Sequence, residues 1–226
     1  MRILAIAAHP DDENYASGWL IKNAIEGHEV YILFTTRGEG GSPGVPPLCA
    51  QHELGKLREK EARAAGVVLG VQETLFLAYV DPLMQSDKLY PISASLQEFS
   101  WAIRDIIERL HPDVILTHGS NGEYGHPQHI FTHQAVLYAL REIPFWRSKE
   151  VLTWNAVFPD PEFPEEINQD DPADFTLDVQ PWLERKVAAF MEHHSQHGAL
   201  QKLYPGKPLA LLAARIESYR RWNNLL

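Results

Sequence analysis

The stretch that decides the reading is AHPDDE, residues 8–13, which closes the run RILAIAA at residues 2–8. That apolar run has the composition of a parallel strand covered on both faces, and Pro10 stops it. In an open α/β sheet, ligands bind just beyond the C-terminal ends of the strands. One imidazole, His9, and three carboxylates, Asp11, Asp12 and Glu13, repel one another at this density unless a cation or a bound proton offsets the charge. The loop therefore reads first as a metal site. Helix capping by Asp12 or Asn14 accounts for one acid and leaves the cluster with its histidine unexplained.

Composition narrows the partners. With 226 residues the chain is long enough for one sizeable core, and one domain over 1–226 is expected. Hydrophobic residues are 45% and charged residues 22%, an ordinary globular balance. A formal net charge of -10 argues against the basic face that phosphate backbones need and gives no attraction to anionic lipid. Met1 leads directly into the strand pattern, without a charged-then-apolar leader or a run able to span a bilayer, so a cytoplasmic protein is expected. The single Cys49 excludes a disulfide framework and a Cys-rich metal site, leaving metal binding to His and carboxylates. As a nucleophile, Cys49 has only His52 close by in sequence.

Outward from the first loop, Leu20, Ile21, Ala24 and Ile25 fall at helical spacing, with Gly27 closing the helix. EVYILFTT at 29–36 reads as a second strand. RGEGGSPGVPP at 37–47 reads as a mobile rim of the site that lacks the spacing of a nucleotide-binding glycine motif. A helix over 52–66 ending at Gly66, a strand over 74–80, a helix near 96–110 stopped by Pro112, and the strand DVILTH at 113–118 follow. The βαβαβαβ pattern is that of a doubly wound parallel sheet with right-handed crossovers. The first strand is then central, and the loops after strands one and four face each other across the switch point. Beyond residue 142 the alternation weakens. Residues 151–158 read as a fifth strand, 159–174 as an acidic surface loop or lid, 175–179 as an edge strand, and 181–194 and 209–222 as helices. Trp146, Trp154, Trp182 and Trp222 read as core or interface residues. The expected class is α/β, a mostly parallel three-layer α/β/α sandwich with an irregular C-terminal extension.

GSNGEYGHPQH follows the fourth strand. Pro127 suits the first turn of a helix running to about residue 141, which puts His126 at its mouth and His129 and His133 on one face. Catalytic zinc takes three N or O ligands and keeps one position for water; His9, Asp12 and His129 make such a set. Asp11 is left to take a proton from the bound water, and His126 to donate to an oxyanion and protonate a leaving amine. His133 reads as a supporting residue, because a fourth protein ligand closes the site. The reaction class is metal-assisted hydrolysis of an amide or ester.

AHPDDE together with YGHPQH at 124–129 resembles the LmbE-like de-N-acetylase (PIG-L) family, which is zinc-dependent and Rossmann-like. The likeness extends through RGE at 37–39, LREKEA at 57–62, LGV at 69–71 and Asp81, with a fainter echo in Lys186 and HHSQ at 193–196. The resemblance implies His9, Asp12 and His129 as zinc ligands, with Fe2+ the alternative metal, Asp11 as general base and His126 on the oxyanion and leaving amine. It further implies Arg58 and Asp81 at sugar hydroxyls, Tyr124 near the acetyl group, and His193 among the substrate contacts. The implied substrate is a small N-acetylglucosaminide of the thiol-biosynthesis type, with no nucleic acid and no membrane; a homo-oligomer stays open.

On residues alone, plainer readings stand beside these. They are a surface ion pair of Arg58 with Glu59 or Glu61, a turn at Asp81, and a polar helix end at 193–197. The family usually reads HPDH where this chain has HPQH, so Gln128 removes a negative charge near His126 and favours its imidazolium less. Glu123 and Asp113 are the candidates to compensate. The rival functions are hydrolysis of a phosphoester or non-sugar amide, and a catalytically silent metal-binding member. Loops 37–51, 82–94 and 159–174 are expected to set the aglycone.

Overall fold

Seven strands form one sheet in a computed structural model that describes residues 1–84, 88–143 and 150–222. Trp146 lies outside the described residues. The first five strands are β1 (Arg2–Ala7), β2 (Glu29–Phe34), β3 (Glu73–Phe76), β4 (Val114–Thr117) and β5 (Glu150–Trp154). They run parallel in the order β3-β2-β1-β4-β5. The chain leaves β1 in one direction and returns beside it from the other at β4, so the expected switch point exists.

Period-two alternation along β1 feeds both faces. Ile3, Ala5 and Ala7 pack with Leu20 of α1 (Ser17–Ile25), Ala62 and Leu69 of α2 (Leu54–Leu69), and Ala189 of a later helix. Leu4 and Ile6 pack with Phe99 and Ile103 of α3 (Leu96–Leu110). Beyond a single turn, α4 (Gly122–Gly125), the helix α5 (Pro127–Arg141) adds Val136 and Leu140 to that same layer. The result is the three-layer sandwich the sequence pattern implies. Local signals set the helix ends where they are strong. Ser95 Oγ accepts from the Glu98 N–H at 3.2 Å while Glu98 reaches back to Ser95, a capping box that starts α3. Pro127 opens α5 as its missing N–H allows.

Several boundaries differ from the sequence reading. Gly66 does not end α2: it packs against β3, where an added Cβ would come within 2.5 Å of Thr74 Oγ1, and Gly70 at φ 79° closes the helix. The fifth strand stops at Trp154 because Asn155 turns to φ 53°, and β6 (Ala156–Val157) pairs separately with β7 (Asn168–Pro172). β6 lies inside the stretch read as the fifth strand, and its partner β7 inside the one read as an acidic surface loop.

The C-terminal part carries the largest correction. The edge strand β8 (Phe175–Asp178) forms as expected, followed by α6 (Leu183–Met191) and α7 (His194–Leu203). Residues 209–222 are not a helix: a short turn at Leu209–Leu212 leads to β9 (Ile216–Arg221), inserted antiparallel between β5 and β8. Glu217 of β9 explains why. Its carboxylate accepts from the N–H groups of Gly18 (2.7 Å) and Trp19 (2.9 Å), from Lys186 Nζ (2.6 Å) and from Tyr219 Oη (2.7 Å). Satisfying four donors from α1, α6 and β9 outweighs the helical spacing of the local apolar residues. Lys186, fully buried, is thereby a structural tie between α6 and the sheet. Among the described residues no helix is long and apolar enough to cross a membrane.

Candidate active site

The loop after β1 is wound tightly. Asp11 sits at φ 108°, a backbone region that residues with a side chain rarely adopt and that recurs at functional sites. Its N–H donates to Glu13 Oε2 at 2.9 Å, and the Asp12 carboxylate turns back to accept the His9 N–H at 2.7 Å. Glu13 in turn bonds His193 Nε2 at 2.6 Å, which brings the start of α7 to the back of this loop.

The loop after β4 is pinned by residues the sequence reading passed over. Asn168 of β7 accepts from the N–H groups of Asn121 (3.1 Å) and Glu123 (3.0 Å) and donates to Glu123 Oε1 (3.3 Å). Asp171 accepts from Ser120 N–H at 2.7 Å and Ser120 Oγ at 2.8 Å. Both lie in a tract that reads only as acidic and Pro-rich, and no short-range spacing marks them. Glu123 was considered as a partner for His126, but its Oε2 instead accepts from His129 Nδ1 at 2.6 Å and His118 Nδ1 at 3.0 Å. Asp113 accepts the Arg2 N–H at 2.8 Å, at the opposite end of β4 from the site, and so cannot compensate there.

Three residues bring four acceptor atoms together between the two loops: His9 Nδ1, His129 Nε2 and both oxygens of Asp12. His9 Nδ1 lies 3.4 Å from Asp12 Oδ2 and 3.3 Å from His129 Nε2, and His129 Nε2 lies 3.2 Å from Asp12 Oδ1. Tetrahedral ligands about 2.0–2.1 Å from a metal are separated by about 3.3–3.4 Å, which the His9–His129 spacing matches, and the Asp12 carboxylate offers one oxygen at a like distance to each imidazole. The tautomers agree. Glu123 takes the proton of His129 Nδ1, leaving Nε2 a lone pair, and electron-rich atoms at this separation repel one another without a cation.

Two overlapping groups, His9 with His126 and His129 and Asp12 with His118 and His129, also hold ligand atoms within 4.8 Å of one another. His118 is already committed: its Nε2 accepts the Ala8 N–H at 2.9 Å and its Nδ1 donates to Glu123. His126 caps α5 with Nδ1 accepting the Gln128 N–H at 3.3 Å, which leaves the proton on Nε2. Burial and the imidazoles of His129 and His9 push His126 far below the ordinary histidine range, so it stays neutral. Burial would raise the Asp12 carboxyl, but the imidazoles of His129 and His9 hold it well below the usual range. Asp11 is pushed up to about 6 by burial and by the Asp12 carboxylate, with Arg58 and His193 pulling the other way.

The remaining expected residues divide. Arg58 is 3% exposed and not a surface ion-pair partner; Glu59 takes that role with Arg37 and Arg63. The Arg58 guanidinium lies against Gly38 and Gly41, where an added Cβ would come within 2.2 and 2.3 Å of it. The RGEGG rim is thus moulded around Arg58, and it also holds Asp81: Gly40 N–H donates to Asp81 Oδ2 at 3.1 Å, and Glu39 Oε2 accepts the Asp81 N–H at 3.0 Å. Tyr124 is 54% exposed and stands edge-on to His126 and His129 with ring centroids 5.6 Å away. His193 is buried at the start of α7 rather than at a polar helix end, and its Nδ1 has no hydrogen-bond partner among the described residues. His133 donates from Nδ1 to the His118 carbonyl at 2.9 Å and supports the loop, as expected of a non-ligand. Burial, Glu53 and Glu61 push the Cys49 thiol up, against the thiolate form that a nucleophile needs.

A sheet whose switch point gathers His and Asp side chains from the loops after β1 and β4 defines a Rossmann-like α/β protein with its site at the strand ends. The chain belongs to the family described as GlcNAc-PI de-N-acetylase (PIG-L), whose profile matches residues 4–140. It is 33% identical over 179 residues to a 1D-myo-inositol 2-acetamido-2-deoxy-alpha-D-glucopyranoside deacetylase of Thermobispora bispora, covering 72% of this chain and 54% of that protein. The chain spans about half the length of the curated relatives it matches. Among solved structures, the N,N'-diacetylchitobiose deacetylase of Pyrococcus horikoshii superposes with a TM-score of 0.69 at 19% identity, covering 99% of this chain and 84% of that one. The 4-carboxy-2-hydroxymuconate hydratase of Pseudomonas putida shares the fold too, with a TM-score of 0.65 at 17% identity and coverage of 98% and 95%. The fold therefore does not dictate the reaction, and the site must.

Proposed function

We propose that this chain hydrolyses the amide of a small N-acetylglucosaminide, with one divalent cation, zinc or ferrous iron, held by His9, Asp12 and His129. The observation that carries this reading is the convergence of two imidazole nitrogens 3.3 Å apart with the Asp12 carboxylate, one oxygen of which lies 3.4 Å from His9 and the other 3.2 Å from His129, backed by a carboxylate on His129. A cation bound there supplies Lewis acidity toward water and the amide carbonyl. Asp11, adjacent to that set and outside it, takes the proton of the attacking water. His126, neutral and protonated on Nε2, donates a hydrogen bond to the oxyanion that develops on the acyl carbon. The proton that Asp11 takes up reaches the departing amine with the help of His126, so one hydrogen of water ends on the amine and the other on the released acid.

Arg58 and Asp81, held by the 37–41 rim, form the sugar-hydroxyl side, and Tyr124 borders the acyl carbon. The unpartnered Nδ1 of His193 supports its assignment among the substrate contacts. The names of the relative and of the Pyrococcus structure both concern N-acetylated amino sugars, which fits this substrate class. The test is acetate release from N-acetylglucosamine glycosides, run beside phosphoesters and non-sugar amides. The reading expects turnover of the glycosides that Asp11→Asn abolishes; preference for a phosphoester, or full activity in that variant, overturns it.

A further inference from the structure

Beside the catalytic loop lies a cavity of about 520 Å³ that the deacetylation reading leaves unused. It opens on Asp11 and Asp12 and is walled by Phe163, Phe190, Leu200, Leu203, Tyr204 and Leu212. All of these but Leu203, which is exposed at the rim, belong to a third apolar cluster, separate from the two layers that flank the sheet and built from α6, α7 and the segments around residues 163 and 209–212. Such a cluster normally closes on itself, because interiors pack to the density of organic crystals. This one encloses space adjoining the reacting groups.

Size and sidedness decide the occupant. A methyl group needs about as much room as a water molecule, about 30 Å³, so an acetyl group leaves nearly all of the cavity empty. Arg58 and Asp81, the residues assigned above to the sugar, are not among its lining residues; they lie with Gly38, Gly40, Gly41 and Gln128. An amide bound at Asp11 and Asp12 with its sugar toward Arg58 and Asp81 sends its acyl group into the apolar cavity. The two acids in the wall do not contradict this. Tyr204 Oη lies 2.9 Å from Glu165 and 3.0 Å from Glu166, its one proton serving a single carboxylate at a time; Glu165 is exposed at the rim, and burial pushes Glu166 up to about 7.

We propose that the cavity between α6, α7 and residues 163–166 is an acyl subsite, and that the preferred substrates carry a linear aliphatic N-acyl chain several carbons longer than acetyl. This rests on the amide-hydrolase reading above and deepens it: the N-acetyl compound is turned over, and a longer acyl chain at the same amide is turned over with higher kcat/KM. Each methylene moved from water into the cavity is expected to raise kcat/KM roughly three- to fourfold until the space is filled.

The experiment uses the metal-loaded protein with N-acetyl-, N-butanoyl-, N-hexanoyl- and N-octanoylglucosamine. The proposal expects kcat/KM to climb along the series, about tenfold or more for each two carbons at first. It also expects Leu200→Trp and Leu203→Trp, which fill the cavity from two positions on α7, each to lower the octanoyl-to-acetyl ratio by about tenfold or more. A kcat/KM that falls with chain length, or a ratio that both folded variants leave at the wild-type value, overturns it. Calorimetric binding of N-octanoyl- against N-acetylglucosamine separates the two failures. If no amide is cleaved, the hydrolase reading fails while tighter octanoyl binding, weakened by Leu200→Trp, still supports the subsite. Equal binding of the two ligands overturns the subsite whatever the activity.

Discussion

The side-chain carbonyl of Gln128 lies 2.8 Å from His9 Nε2. The orientation of that amide is set from its other end, where Nε2 donates to Asp81 Oδ1 and to the Tyr90 carbonyl. The oxygen must then accept from His9, so His9 carries its proton on Nε2 and presents the Nδ1 lone pair to Asp12 and His129. Gln128 thus positions a metal-facing histidine, a different task from holding His126 charged.

Restoring the family's acid with Gln128→Asp is therefore expected to harm and not help. The shorter carboxylate loses its reach to His9 and faces the Asp81 carboxylate, to which the Gln128 amide now donates. Metal affinity should fall by about 10- to 100-fold, read by chelator competition. A gain in both affinity and rate would identify Gln128 as the lesion of a silent enzyme.

Glu123 carries the other half of the orientation. Its single oxygen serves both His129 and His118, and its φ of 59° is held by Asn168. Glu123→Gln is expected to cost about 10- to 100-fold in metal affinity, with the far-ultraviolet circular dichroism unchanged. Unaltered affinity would place the metal on a set that does not include His129.

A third prediction concerns pH. Glu166 is raised to about 7 in the folded chain, chiefly by burial, against about 4.3 for an unfolded glutamate. Between those values the folded state binds more protons, so stability falls as pH rises through the window and levels off above it. Glu166→Gln should remove this slope and be more stable than wild type above pH 7 by about 1–3 kcal/mol, measured by urea denaturation across pH. An unchanged slope would show that Glu166 is not buried in solution.

The C-terminal tie yields a fourth. Glu217→Ala leaves Lys186 buried without its counter-charge and frees two helix N–H groups, and removing one partner of a buried pair costs about 3–5 kcal/mol. Thermal unfolding should report a loss of that order. A near-neutral change would mean that β9 does not close the sheet as described.

Comparison of particular elements shows which parts were legible in the sequence. The switch point was readable because each piece carries a local mark: an unbroken apolar run before Pro10, an amphipathic α3 with its capping box, and Pro127 at the first turn of α5. Asp11, Asp12, His9, His126, His129 and Tyr124 meet as their motifs suggested. Asn168 and Asp171 were not readable, since their role depends on partners 45 to 51 residues away that no periodicity encodes. β9 was misread for a related reason. Leu209, Leu212, Ile216 and Tyr219 fall near helical spacing, yet the strand is selected by antiparallel partners in β5 and β8 and by what Glu217 must satisfy. The depth of the apolar cavity likewise follows from how α6 and α7 pack, which residue spacing does not reveal.

The most direct measurement is acetate release from an N-acetylglucosaminide by protein stripped of metal and then titrated with Zn2+ or Fe2+, in parallel with His129→Ala. The account predicts no turnover after stripping, recovery that saturates at one metal per chain, and neither metal uptake nor turnover in the variant. Turnover that survives stripping, or a His129→Ala protein that binds metal and reacts like wild type, would contradict it.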